Sequence, residues 1–176
     1  TDLDMRMDQI ADLDACKVVN NYSEEDLHRI FGMYGEIQNA KSLAKAIVTS
    51  RLSAPIQTVA ELKIVIQKLV PKGKEHKYHA QVFQALRIEV NKELEALQDF
   101  LEQTTTVLSS AGRLVVMSYH SLEDRLVKNF MAKGKFKGSV EKDFFGNDIK
   151  PFKMISRKAI VASVEEVKQN NRARSA

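Results

Sequence analysis

Residues 112–130 constrain the fold more than any other stretch, because an apolar strand pattern there runs straight into a capped helix. Gly112-Arg113-Leu114-Val115-Val116-Met117 reads as a buried strand opened by a turn glycine. Leu122, Leu126, Val127 and Phe130 follow at helical spacing. Ser121 with Asp124 fits the S-x-x-D capping pattern, in which the hydroxyl takes an amide of the first turn. Strand followed by helix is the repeating unit of α/β folds, and ligands bind at the mouths of such strands. Ser118, His120, Ser121, Glu123 and Arg125 are therefore expected to crowd the rim of a cleft.

The rest of the chain is largely helical in pattern. Ser23-Glu24-Glu25-Asp26 is a second capping pattern, with Leu27, Ile30, Phe31 and Tyr34 on one face and Gly35 as the stop. Ile37, Ala40, Leu43, Ala44, Ile47 and Val48 continue the period up to Pro55. Thr58 to Glu61 starts another helix, carrying Leu62, Ile66 and Leu69 and ended by Pro71. Lys72 to Lys77 is a polar linker. Beyond it, Phe83, Leu86, Val90, Leu94, Leu97, Leu101 and Leu108 trace the stripe of one long amphipathic helix. Gly134 to Pro151 reads as a loop, 152–160 as a second strand, and Ser163 to Glu166 caps a short last helix. Two strands cannot form a stable open sheet alone, so the remaining strands are expected before Thr1 and after Ala176.

Composition narrows the class. At 44% hydrophobic and 28% charged, the 176 residues are ordinary for a globular protein. The one cysteine, Cys16, excludes an internal disulfide and fits a reducing, cytoplasmic setting. No apolar run reaches the ~18 residues of a membrane span, so no membrane role is expected. The net charge of +4 is uneven: from Arg125 onward 13 Lys and Arg face 5 Asp and Glu, and before it 14 face 18. A basic block beside a candidate cleft suits a polyanion such as nucleic acid, although a solvated lysine-rich tail has the same composition.

Each chemical motif has a plainer counterpart. Ser118, His120 and Ser121 invite a serine-hydrolase reading, but no Gly-x-Ser-x-Gly elbow is present. His76 and His79 have the spacing of half a metal site, without the other ligands, so no metal is expected. Arg87, Asn91 and Glu93 lie among the stripe residues, where Arg87 could pair with a buried carboxylate. Arg172 and Arg174 could clamp phosphate, since guanidinium forks match its oxygens. No glycine-rich phosphate or dinucleotide loop occurs.

Four separated segments carry a family resemblance: Leu3 to Asp8, Phe83 to Ile88 with Val90-Asn91, Ser118 to Arg125, and Arg172 to Ala176. In this order and spacing the chain resembles the bacterial ribosomal RNA small-subunit methyltransferase H family. Departures are mild: Thr1-Asp2 stands where the family has Gly-Pro, Tyr119 where Phe is common, and Asn171 where Pro is common. The resemblance implies S-adenosylmethionine-dependent methylation of the N4 amino group of a cytosine in 16S ribosomal RNA. The fold it implies is α/β: the C-terminal part of a Rossmann-like methyltransferase sheet with an α-helical insertion subdomain. On that basis residues 9–71 form the RNA-recognition insertion, 78–176 the C-terminal part of the methyltransferase domain, and 1–8 a connecting motif segment.

The glycine-rich cofactor loop of the family is expected upstream of Thr1, so the cofactor would be held mainly there and this chain alone would be inactive. The substrate RNA would meet His120, Ser121, Glu123, Arg125, Arg172 and Arg174, with His120 and Ser118 as candidates to act on the amine. The alternatives are a non-catalytic helical RNA-binding module and the Ser/His hydrolase.

Overall fold

A computed structural model describes residues 1–156 and 158–176. The chain forms two compact units, Thr1–Glu93 and Leu94–Ala176.

The first unit holds five helices: α1 (Ala15–Asn21), α2 (Glu24–Met33), α3 (Ala40–Arg51), α4 (Val59–Gln67) and α5 (Glu75–Asn91). Their starts follow local chemistry. Asp14 Oδ1 accepts from the Lys17 amide at 2.6 Å, and Ser23 Oγ accepts from that of Asp26 at 3.0 Å. Thr58 and Glu61 form a reciprocal capping box. The apolar faces converge on one core containing Leu27, Ile30, Phe31, Leu43, Leu62 and Leu86, all fully buried. Each such side chain contributes roughly 1.5–3 kcal/mol relative to exposure. Two details lock the helices together. The Arg51 guanidinium donates to the carbonyls of Val19 and Tyr22, both at 2.7 Å, satisfying acceptors that the end of α1 leaves open. At Gly35 a Cβ would lie 2.8 Å from the Phe31 carbonyl oxygen and 2.9 Å from that of Gln81, so glycine lets the end of α2 approach the α5 backbone.

The expected single long helix is two. Lys92 adopts the left-handed conformation (φ 50°, ψ 40°), ending α5, and α6 (Glu93–Val107) begins at the next residue. Side chains at the end of α5 hold the break. Asn91 turns its amide onto the Arg87 carbonyl, and Lys92 Nζ pairs with Glu89 at 3.0 Å. The buried Glu89 carboxylate also accepts from the Tyr22 hydroxyl at 2.7 Å.

The second unit contains most of α6, then α7 (Ser121–Lys133), a small antiparallel hairpin of β1 (Glu141–Lys142) and β2 (Asp148–Ile149), α8 (Val164–Gln169) and a 3-10 turn at Asn171–Ser175. Phe130 of α7 stacks on Phe136, ring centroids 5.0 Å apart, and meets Phe152 at 6.1 Å, which folds the segment after α7 back onto it. Gly134 ends α7 at φ 69°, where a Cβ would meet the Pro151 ring at 2.7 Å.

Two expected strands are not formed. Residues 113–117 are not paired with any strand, and Val115 is 88% exposed. A buried parallel strand needs neighbours on both edges, and the described residues supply none. The second expected strand, 152–160, includes residue 157, which lies outside the described residues; the described ones there form no strand. The segment 134–151, expected as plain loop, carries the hairpin. The described residues are therefore mostly helical with one two-stranded sheet. No helix among the described residues is long and apolar enough to cross a membrane.

Candidate functional site

Four of the sequence-selected residues meet at the start of α7. The residue that caps this helix is His120, not Ser121: His120 has extended backbone (φ −146°, ψ 160°), and Ser121 is already helical. Its Nδ1 accepts from the Glu123 amide at 3.4 Å. The cap thus falls one residue earlier than the S-x-x-D pattern implied, because an imidazole nitrogen with a free lone pair serves as well as a hydroxyl.

Glu123 reaches back, taking the Tyr119 amide at 2.8 Å with Oε2 and lying 3.3 Å from His120 Nε2 with Oε1. Asp124 makes no cap bond through its side chain; it accepts from the Ser118 hydroxyl. Carboxylates here also meet the positive end of the α7 dipole.

This arrangement changes what His120 can do. The ring was expected to face a cleft, but its side chain is only 12% exposed and Nδ1 is committed to the helix. With Nδ1 accepting, a neutral ring carries its proton on Nε2, which is buried 3.3 Å from Glu123 Oε1 without forming a hydrogen bond. Ser118 gives its proton to Asp124 rather than to His120, so the pair is not arranged as nucleophile and base. Arg125 is exposed on α7. Arg172 and Arg174 are exposed on the 3-10 turn, which Asn170 opens by accepting from the Arg172 amide at 3.1 Å and which buries Ala173.

A second cluster lies in the first unit and joins two of the four resemblance segments. Arg6 grips both carboxylate oxygens of Asp4, Nε to Oδ1 at 2.8 Å and Nη2 to Oδ2 at 2.9 Å. Its Nη1 donates to the carbonyls of Gln9 and Ala11. The guanidinium and the Arg6 amide together hold the Asp4 pKa down to about 2. Asn91, at the end of α5, clamps the same segment: Nδ2 donates to the Met5 carbonyl at 2.9 Å and Oδ1 accepts from the Met7 amide at 2.7 Å. Between them Met5 sits at φ 67°, a costly conformation for a side-chain-bearing residue. Nearby, Arg87 pairs with Glu93 through Nε–Oε1 at 2.7 Å and Nη2–Oε2 at 3.1 Å. Local patterning singled out Arg87 and Asn91 but not Asp4 and Arg6, and nothing local signals a contact between residues more than eighty positions apart.

His79 lines a cleft of about 430 Å³ between α4 and α5, with Lys63, Ile64, Gln67, Val70 and Glu75. Its Nε2 is buried without a hydrogen-bond partner. His76 is exposed, and no cluster of three or more His, Cys, Asp or Glu suited to a metal occurs among the described residues.

An arginine-held acidic segment, a strand-like run before a capped helix and an exposed basic turn follow one another in this order along the chain. The chain belongs to the MraW methylase family, which it matches over residues 1–176. It is 60% identical over 174 residues to the ribosomal RNA small subunit methyltransferase H of Cytophaga hutchinsonii, covering 99% of this chain and 58% of that protein. The methyltransferase H proteins of Flavobacterium johnsoniae and Flavobacterium psychrophilum are 53% and 52% identical over 175 residues, covering 58% and 60% of those proteins. The chain thus spans somewhat under two thirds of the length of these relatives.

The family implies S-adenosylmethionine, and the glycines among the described residues do not form the turn that would hold it. Such a nucleoside needs a glycine turn between a strand and a helix, where bare backbone can approach it. Of the glycines, Gly32 lies in α2, Gly35 just beyond it, Gly134 caps α7, and Gly73, Gly138 and Gly146 stand at positive φ away from such a junction. Gly112, ahead of the strand-like run, would place a Cβ 2.9 Å from the Ser109 carbonyl oxygen, so its close approach is to its own chain.

Proposed function

We propose that this chain is the RNA-facing portion of an S-adenosylmethionine-dependent enzyme that methylates the N4 amino group of a cytosine in 16S ribosomal RNA, in the cytoplasm. The observation that carries this reading is the family match over the entire chain, joined to high identity with proteins named as small-subunit ribosomal RNA methyltransferases.

In this reading, residues 113–117 join a Rossmann-like sheet in the whole enzyme, which would cover the exposed Val115 and Met117. Residues 9–71 are the helical insertion that recognises RNA, 78–176 the C-terminal part of the methyltransferase domain, and 1–8 the motif segment connecting the two.

The chemistry defines the demands on the protein. A cytosine amino nitrogen shares its lone pair with the ring and is a poor nucleophile. The base must be unstacked and held in line for attack, with its N–H groups hydrogen-bonded to acceptors as the lone pair localises and one of the two protons leaving as the methyl group is gained. In this reading Ser121, Glu123 and Arg125, at the start of α7, contact the splayed nucleotide, while the local bonds of His120 and Ser118 hold that edge in shape. Arg172 and Arg174 supply phosphate contacts from the 3-10 turn.

The test is methyl transfer by the whole enzyme from isotopically labelled S-adenosylmethionine to small ribosomal subunits lacking the modification. Label in the small-subunit RNA is expected. Label confined to protein or large-subunit RNA would overturn the reading.

A further inference from the structure

Among the described residues, the hairpin after α7 presents the most solvent-exposed aromatic surface. Its turn, Asp143-Phe144-Phe145-Gly146-Asn147, leaves Phe144 98% and Phe145 84% exposed. Two adjacent bare phenylalanines are costly to keep in water, so their display calls for a purpose or a cover.

The turn is built to hold them. Asp143 accepts three hydrogen bonds through its carboxylate: from the Phe145 amide at 2.9 Å, the Asn147 amide at 2.8 Å and the Asn147 side-chain amide at 2.9 Å. Backbone bonds from Asp143 to the Asn147 carbonyl and from Gly146 to the Asp143 carbonyl close the loop, with Gly146 at φ 85°. These bonds, that of the Asn147 side chain foremost, hold the Asp143 carboxyl below its usual range. The two rings meet edge to face, centroids 5.6 Å apart at 88°, so a ring face stays open for a further flat partner.

The surroundings are basic. Residues 133–153 carry six lysines against three acidic residues. Lys135 pairs with Glu141 and Lys150 with Asp148, whereas Lys137, Lys142 and Lys153 are exposed and have no ion pair among the described residues. Lysine is depleted in protein interfaces, and aromatic rings interleaved with lysine are the surface that single-stranded nucleic acid selects. Paired RNA buries its base faces; unpaired RNA offers them for stacking.

We infer that the 141–149 hairpin is a stacking finger for unpaired RNA bases, with Phe144 and Phe145 contacting base faces and Lys137, Lys142 and Lys153 the neighbouring phosphates. This rests on the proposed RNA substrate and adds a second point of contact, distinct from the start of α7.

The experiment uses the whole enzyme, labelled single-stranded oligocytidylate, and the same strand paired with oligoguanylate. Phe144→Ala with Phe145→Ala is expected to weaken single-strand binding by about fivefold or more for each stacked base, and paired-strand binding far less. Phe145→Trp is expected to retain affinity and to lose indole fluorescence as oligocytidylate is added. Wild-type-like single-strand affinity in the double variant, or unquenched tryptophan at saturation, would overturn the inference. So would a double variant that melts early yet binds normally once folded, since the rings would then be covered by the enzyme itself. Methyl transfer by the wild type is measured in parallel. If the wild type methylates ribosomal RNA and the variant binds normally, only the finger fails; if the wild type methylates no ribosomal RNA, the functional reading fails.

Discussion

At the scale of single residues, Arg6 shows how much one side chain can organise. It fixes a carboxylate and two carbonyls within the segment 4–11, and the Asp4 pKa records the grip. A carboxyl held at about 2 against an ordinary 3.8 stabilises the fold fully above 3.8, and the contribution is lost as pH falls toward 2. Arg6→Gln removes the charge and both carboxylate bonds. Carbon-detected NMR titration should then find the Asp4 midpoint moved up toward 3.8; a midpoint still near 2 would assign the depression to some other group. The Asn91 clamp on this segment was not legible in residues 3–8, because it comes from the far end of α5. Sequence patterns report neighbours along the chain, and this cluster is made by neighbours in space.

At the scale of elements, what was legible was local. Ser23, Thr58 and Ser163 cap their helices as their patterns predict, since a cap depends on a few consecutive residues. The S-x-x-D pattern puts the start of α7 one residue late because histidine is a rare cap, and the sequence hides the break at Lys92 because the apolar stripe keeps its period across it. The strand expected at 113–117 failed for a different reason: apolar alternation describes a preference, and a strand exists only with a partner. With His120 as the cap, His120→Ala should cost stability, about 0.5–2 kcal/mol and nearer the lower figure given the 3.4 Å bond. Urea denaturation of the whole enzyme measures it. An unchanged midpoint with slower methyl transfer would instead return His120 to the role of a rim residue.

At the scale of the whole molecule, charge is the most informative global property. The basic excess lies from Arg125 onward and includes the exposed Arg172 and Arg174. If these two contact phosphate, Arg172→Ala with Arg174→Ala should reduce the log–log salt slope of RNA binding by about 1.4 for single strands and about 1.8 for duplex. Filter binding over a salt series reads that slope; weaker affinity at an unchanged slope would make the arginines structural.

The family and the order of its motifs were legible in the sequence, and the chain bears them over its full span. The two-unit organisation was less so. The boundary at Glu93–Leu94 coincides with the helix break rather than with the polar linker at 72–77, because α5 buries Val82, Ala85 and Leu86 in the same core as α2 and α3. A linker is polar whether or not the helix beyond it packs back.

The enzyme containing this chain is proposed to methylate one cytosine amino group of small-subunit RNA. This is tested most directly by nucleoside mass spectrometry of 16S ribosomal RNA after reaction with S-adenosylmethionine. A single new N4-methylated cytidine, confined to one nuclease fragment, is expected. Methylation on the ring carbon, on a ribose oxygen or on another base, with no N4-methylcytidine formed, would contradict it.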